Sequence, residues 1–315
     1  MTAAAAPPPV AGTAPARSFR RIGEKWYAGY LFVLPHFLLF LFMVALPFLY
    51  NLYIALTDYT FGGDAQFIGL KNFQNLADPS DYHFGIFWNG VWNTVLFVLM
   101  STPLLVIAGL GLAVIVNGKY PGRNLFRAIF FAPWTLGIGV VGLLWWWLLN
   151  SQSGLLTLLL ANFGVEGVSW LTTNPLAWFS INLATLWWTV GFNTIILLAG
   201  LQAIPTDLYE ASAIDGANKW QQFRSVTVPS LRPILLLVIT LQVIASFNMV
   251  GQAQIMTGGG PLNETRTGLL YMYETGFTNG GQFQLGQAAA MGLIVASMMV
   301  VVSIINFRVF RSDES

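Results

Sequence analysis

Residues 82–118, YHFGIFWNGVWNTVLFVLMSTPLLVIAGLGLAVIVNG, contain no Asp, Glu, Lys or Arg. A bilayer-spanning helix needs about 20 predominantly apolar residues, and one Asp, Lys or Arg at its centre costs about 2.5–3.5 kcal/mol on insertion scales. The stretch therefore predicts a transmembrane helix. Five more charge-free stretches flank it: Trp26–Thr57, Ala128–Val165, Gly167–Thr206, Pro233–Asn263 and Thr275–Phe307. Together they predict an all-α membrane protein with six transmembrane helices, near 28–55, 88–116, 125–149, 176–202, 232–256 and 286–309, in a domain spanning 26–311. Pro35, Pro47, Pro103 and Pro133 fall inside these spans; packed membrane helices tolerate proline because neighbours satisfy the freed carbonyls.

Composition agrees. Only 9% of the 315 residues are charged, 56% are hydrophobic and the mean hydropathy is +0.64. So few charges cannot cover the surface of a soluble enzyme. A net charge of +1 provides no basic field for nucleic acid. The absence of cysteine and the presence of only two histidines argue against thiol chemistry and His-based metal or triad sites.

Lys and Arg are enriched in cytoplasmic connections. Of the 14 such residues, only Lys71 and Arg266 fall on one side of the spans, with the acids Asp58, Asp64, Asp78, Asp81, Glu166, Glu264 and Glu274. The rest lie in the N-terminal tail, the 2–3 and 4–5 connections and the C-terminus. This places both termini in the cytoplasm of a multi-pass protein of the cell membrane. Residues 1–25 are expected to form a disordered basic tail; the Ala/Pro-rich start has no basic-then-apolar order of a signal peptide.

The connection between spans 4 and 5, IPTDLYEASAIDGANKWQQFRSVTVPSLRP over 204–233, is patterned like structure. It predicts two short helices within 204–230. Pro205 and Thr206 start the first, and Asp207 with Glu210 fits a capping box. Asp215-Gly216 ends it, because glycine accepts a left-handed cap. Asn218 with Gln221 caps the second helix, Pro229 ends it, and Pro233 opens the next span. The apolar Leu208, Tyr209, Ile214, Trp220 and Phe223 either pack beneath the protein's own helices or form a partner surface.

Glu210, Ala211, Asp215, Gly216, Ala217, Phe223, Pro229 and Pro233, at these spacings, resemble the EAA loop of permease subunits in binding-protein-dependent ABC importers. Ser212 stands where that family usually has alanine. Phe67–Phe73, Trp92–Thr94, Phe126–Pro133, Trp145–Leu149 with Gly154, and Met256–Pro261 resemble the maltose-type carbohydrate branch, so the likeness covers about 28–310. It implies a type I ABC importer permease fold and a coupling helix that docks in a cleft of an ATPase. It also implies a second homologous permease, two ATP-binding subunits and an extracellular solute-binding protein as partners. Glu210, Ala211, Asp215 and Gly216 would be the docking residues, with Ala217 and Phe223 in the same motif. ATP and Mg would bind the ATPase, and this chain would hold no cofactor.

The residues agree with an external motor, since the chain has no GxxxxGK[ST] phosphate loop. The spans carry neutral polar groups and no central acid, which disfavours ion coupling and favours a sugar or polyol. Gln242, Phe247, Asn248 and Gln252 on helix 5 are the candidate pathway residues, with inter-helix hydrogen bonding as the other account of each amide. Trp187 and Trp188 sit mid-span, where either solute contact or packing against lipid and helices would hold them. The Trp145–Trp147 run suits an interfacial belt, Thr257–Pro261 a flexible outer turn, and His83 an outer loop. A stand-alone carrier or channel for a neutral solute, or a permease for glycerol phosphate-type solutes, are the alternative readings.

Overall fold

A computed structural model describes residues 27–118, 121–278 and 283–311. The expected disordered tail 1–25, and Lys119, lie outside the described residues. The chain divides into two compact units, Met1–Tyr50 and Asn51–Ser315. The first holds α1 (Ala28–Phe40) and most of α2 (Leu46–Ile54), joined by a π turn at Leu41–Ala45. The second contains α3 (Lys71–Ala77), α4 (Tyr82–Asn117), α5 (Arg123–Phe131), α6 (Ile138–Leu148), α7 (Leu155–Ala161) and α8 (Leu176–Ala203). It continues through α9 (Thr206–Ile214), α10 (Lys219–Gln222), α11 (Val228–Phe247), α12 (Gly268–Phe277) and α13 (Leu285–Arg311).

Among the described residues, five helical runs are long and apolar enough to cross a membrane, or six if one bent pair is counted as a single span. That pair corrects the expected third span, 125–149. It consists of α5, a 3-10 turn at Ala132–Thr135, and α6 after a bend of 100°. Pro133 has no amide hydrogen to continue the helix, and Leu136 and Gly137 are extended. A backbone break at membrane depth needs its carbonyls satisfied; here the Trp188 indole nitrogen donates to Leu136 O at 3.1 Å. Gly191 fits the break against α8. A Cβ on that glycine would lie 2.0 Å from the Phe130 carbonyl oxygen and 2.7 Å from its carbon.

The fifth span is also revised. Expected at 232–256, it begins in the connection between α8 and α11 and ends at Phe247. The run Lys219–Phe247 is helical throughout, with a π turn at Phe223–Thr227 whose following amide, Val228, donates to Phe223 O. Pro229 does not end the helix, because it falls in the first turn after this bulge, where a missing amide hydrogen is tolerated. Pro233 is inside α11 and does not open it.

Helices α4 and α8 run side by side in the same direction. Phe97, midway along α4, shares one cluster with Trp178 and Ile181 at the start of α8, while Ala113, Val116, Leu197, Leu198 and Leu201 share another near the ends of both helices, joined by Leu231 and Val238 of α11. A buried polar chain ties the three helices at mid-depth. Asn193 Nδ2 donates to Gln242 Oε1 at 3.1 Å, Gln242 Nε2 to Ser246 Oγ at 3.2 Å, and Ser246 Oγ lies 2.9 Å from Ser101 Oγ. Such bonds contribute about 0.6–2 kcal/mol in a bilayer. Gln242→Leu should lower resistance to SDS-driven unfolding by that amount; an unchanged midpoint would remove the network from the account of stability.

The turn at Thr257–Pro261, expected to be flexible, is hydrogen-bonded to the segment after it, Thr265 Oγ1 donating to Gly260 O at 2.6 Å and Thr265 N to Gly259 O at 3.3 Å, and that segment is anchored in turn. Asn93 Nδ2 donates to Asn263 O (2.8 Å) and Arg266 O (2.9 Å). Thr267 Oγ1 donates to Met249 O at 2.8 Å, and Arg266 Nε lies 2.9 Å from Glu274 Oε2. Burial pushes the Glu274 carboxyl up, opposed by the Arg266 charge. His83 is in the first turn of α4, not a loop, with Nδ1 2.8 Å from the Tyr271 hydroxyl. Burial first, then the neighbouring Tyr82, pushes that phenol up to about 12, so it remains a neutral partner.

Candidate functional site

The connection between α8 and α11 forms an elbow. Its first arm, α9, begins after Pro205, and no side chain caps it. The expected Asp207–Glu210 capping box is absent because Pro205, not Asp207, holds the cap position. Asp207 falls in the first turn, where its charge faces the positive end of the helix. The arm ends in a Schellman motif: Ala217 N donates to Ser212 O at 3.0 Å and Gly216 N to Ala213 O at 3.1 Å. Gly216 takes φ +84°, a region that costs other L-residues about 1–2 kcal/mol.

The second arm opens with the expected capping box. Asn218 Oδ1 accepts from Gln221 N at 2.9 Å and Gln221 Oε1 from Asn218 N at 2.8 Å. The arms are tied to each other by the Tyr209 hydroxyl, 3.0 Å from Thr227 Oγ1, and by Gln222 Nε2 donating to Tyr209 O at 3.4 Å. Because the second arm is continuous with α11, a push on the elbow is a push on a membrane helix.

Glu210, Ala211, Asp215 and Gly216 are all exposed, while Ala217 and Phe223 are half-buried. The two accounts of the apolar residues divide. Tyr209 and Phe223 turn inward, and Trp220 stacks on Phe223 with centroids 5.6 Å apart. Ile214 (87% exposed), Trp220 (69%) and Leu208 (47%) point outward. The elbow thus presents an apolar surface edged by Glu210 and Asp215, suited to a protein groove.

The pathway candidates do not come together as one cluster. Gln242 is in the buried chain described above, and Phe247 packs with Ile54, Val91 and Tyr271. Gln252 is buried beside the π turn at Ala253–Thr257. Asn248 is exposed, its Nδ2 donating to Ile244 O at 2.8 Å. It continues an open stripe of α11 through Leu237, Leu241 and Ala245. Trp188 holds the helix break, and Trp187 is part-exposed, edge-to-face with Trp145 at 6.0 Å. Within the expected aromatic belt Trp145 is buried, whereas Trp146 and Trp147 are exposed; its side chain faces α8. Among the described residues no group of acidic, His or Cys side chains could hold a metal.

Comparison with known proteins agrees with this architecture. Residues 76–312 match the family model for the binding-protein-dependent transport system inner membrane component. The chain is 34% identical over 286 residues to the trehalose/maltose transport system permease protein MalF of Thermococcus litoralis, covering 90% of this chain and 95% of that one. It is 33% identical to the probable starch degradation products transport system permease protein AmyD of Thermoanaerobacterium thermosulfurigenes, covering 88% and 92%. A crystal structure of a bacterial ABC transporter involved in import of the acidic polysaccharide alginate contains a chain with the same fold, at TM-score 0.77, 21% identity and coverage of 91% and 96%. With several apolar spans and a family match over most of its length, the chain is a multi-pass membrane protein that belongs to the binding-protein-dependent transport system inner membrane components.

Proposed function

We propose that this chain moves a sugar across the cytoplasmic membrane as a non-catalytic permease subunit, powered by ATP hydrolysis in separate subunits. The observation that carries the reading is the elbow: a hydrogen-bonded, outward-facing helix pair continuous with a membrane helix. Two ATP-binding subunits would grip it at Glu210, Ala211, Asp215 and Gly216. A homologous permease would complete the membrane domain, and an extracellular solute-binding protein would deliver the sugar. The elbow and both termini are then cytoplasmic, as the Lys and Arg bias favours. Rocking of packed helices would alternate access. The sugar's path would follow the open stripe of α11 at Asn248 and the part-exposed Trp187, with Gln242, Phe247, Gln252 and Trp188 holding that surface in place.

The neutral interior supports a neutral solute, and relatives with about a third of their residues identical are named for maltose, trehalose and starch products. In the reconstituted complex, Glu210→Lys should reduce sugar-stimulated ATP hydrolysis and sugar uptake together. Unaltered rates of both would reject the elbow as the coupling element.

A further inference from the structure

At the end of α4 opposite the elbow, four segments enclose a cleft of about 320 Å³: the strand-like stretch after α2, α3, the first turn of α4 and the start of α13. This size is at the lower end of small-molecule sites, which run to about 300–1,000 Å³. Its lining mixes polar side chains with Tyr59 and Ile68. Asn72 and Gln287 form a floor, each only 5% exposed. The floor is fixed before any ligand arrives. Asn72 Nδ2 donates to Ala55 O (2.9 Å) and Thr57 O (2.8 Å). Gln287 Nε2 donates to Asn72 O at 3.2 Å, and Gln287 Oε1 accepts from Asn75 Nδ2 at 3.3 Å. His83, held by Tyr271, and Gln284 complete the wall, with Tyr59 beside them. Asn72 Oδ1 and Lys71 Nζ make no hydrogen bond among the described residues.

We propose that this cleft binds a neutral saccharide unit, at a site separate from the transmembrane path. Hydroxyls both donate and accept, and so match a lining of amides and imidazole that does the same. The charged lining groups, Asp58 and Lys71, are exposed at the rim, where water screens them. The buried floor is neutral, so a zwitterion would find its charges desolvated without a buried counter-charge. A hexose ring fits the volume. The assignment goes beyond the transport reading and does not depend on it.

The natural chain has no cysteine, so one introduced thiol reports on the cleft. The full-length chain carrying Thr60→Cys, in lipid nanodiscs without other subunits, would be labelled with a methanethiosulfonate reagent. Thr60 lines the cleft; exposed Gln74 does not, and Gln74→Cys is the control. Methyl α-glucoside or maltose should slow labelling several-fold at position 60 and leave position 74 unaffected. Adding Asn75→Leu should abolish that protection while the sugar-free labelling rate, which reports the cleft's native exposure, stays the same. No protection by either sugar, equal protection at both positions, protection surviving Asn75→Leu, or protection by glycine betaine alone would each overturn the assignment.

Discussion

Gly216→Val is expected to uncouple the transporter while leaving the chain in the membrane. The left-handed φ at this position closes the α9 cap, and a β-branched residue tolerates it least. The strain of about 1–2 kcal/mol is about tenfold in the population of the bent elbow, since 1.4 kcal/mol is a factor of ten. It falls on an exposed segment outside the apolar spans, so insertion and abundance should hold. Sugar-stimulated ATP hydrolysis and uptake in the reconstituted complex should fall by about that factor. Gly216→Asn is the informative partner, because asparagine enters the left-handed region at less cost, and it should retain most of the coupling. Equal loss in both variants would mean that the lack of a side chain, and not the backbone angle, matters there.

Gly191→Val should have the opposite signature. A Cβ at this position meets backbone, the Phe130 carbonyl oxygen at 2.0 Å, and no rotamer change relieves that contact. Overpacking commonly costs about 1–3 kcal/mol, and a rigid backbone neighbour puts this site at the upper end or beyond. The α5–α6 break would have to leave α8, taking with it the bond from Trp188 to Leu136. Low yield, early unfolding in detergent and loss of all function together are expected. A monodisperse variant with native unfolding resistance would show that the two segments can separate without cost.

The first, second, fourth and sixth apolar spans were legible because membrane insertion is decided by long uncharged runs, which need no tertiary information. The elbow was legible for a local reason: Asp215-Gly216 and Asn218 with Gln221 encode a stop and a start within a few residues. What escaped was set by contacts far apart in the chain. The bend after Phe131 depends on Gly191 of another helix and on the Trp188 indole, although Pro133 and Gly137 were a local warning. The continuity of α10 with α11 depends on a π turn, which no residue pattern announces. The anchoring of Asn263 and Arg266, just after the Gly-rich turn, comes from Asn93, about 170 positions earlier in the chain. The amides of helix 5 show the same limit: sequence gives their depth, while their partners decide that Gln242 is bound to Asn193 and Asn248 is open.

The π turn at Phe223–Thr227 has a geometric effect on everything beyond it. It houses one residue more than an α-helical turn, and each α-helical residue turns the screw by about 100°. The docking edge below and the open stripe of α11 above are therefore set in different phases around one shaft. Relaxing that single coil toward regular pitch would convert a lengthwise nudge from below into a twist of the shaft within the bilayer.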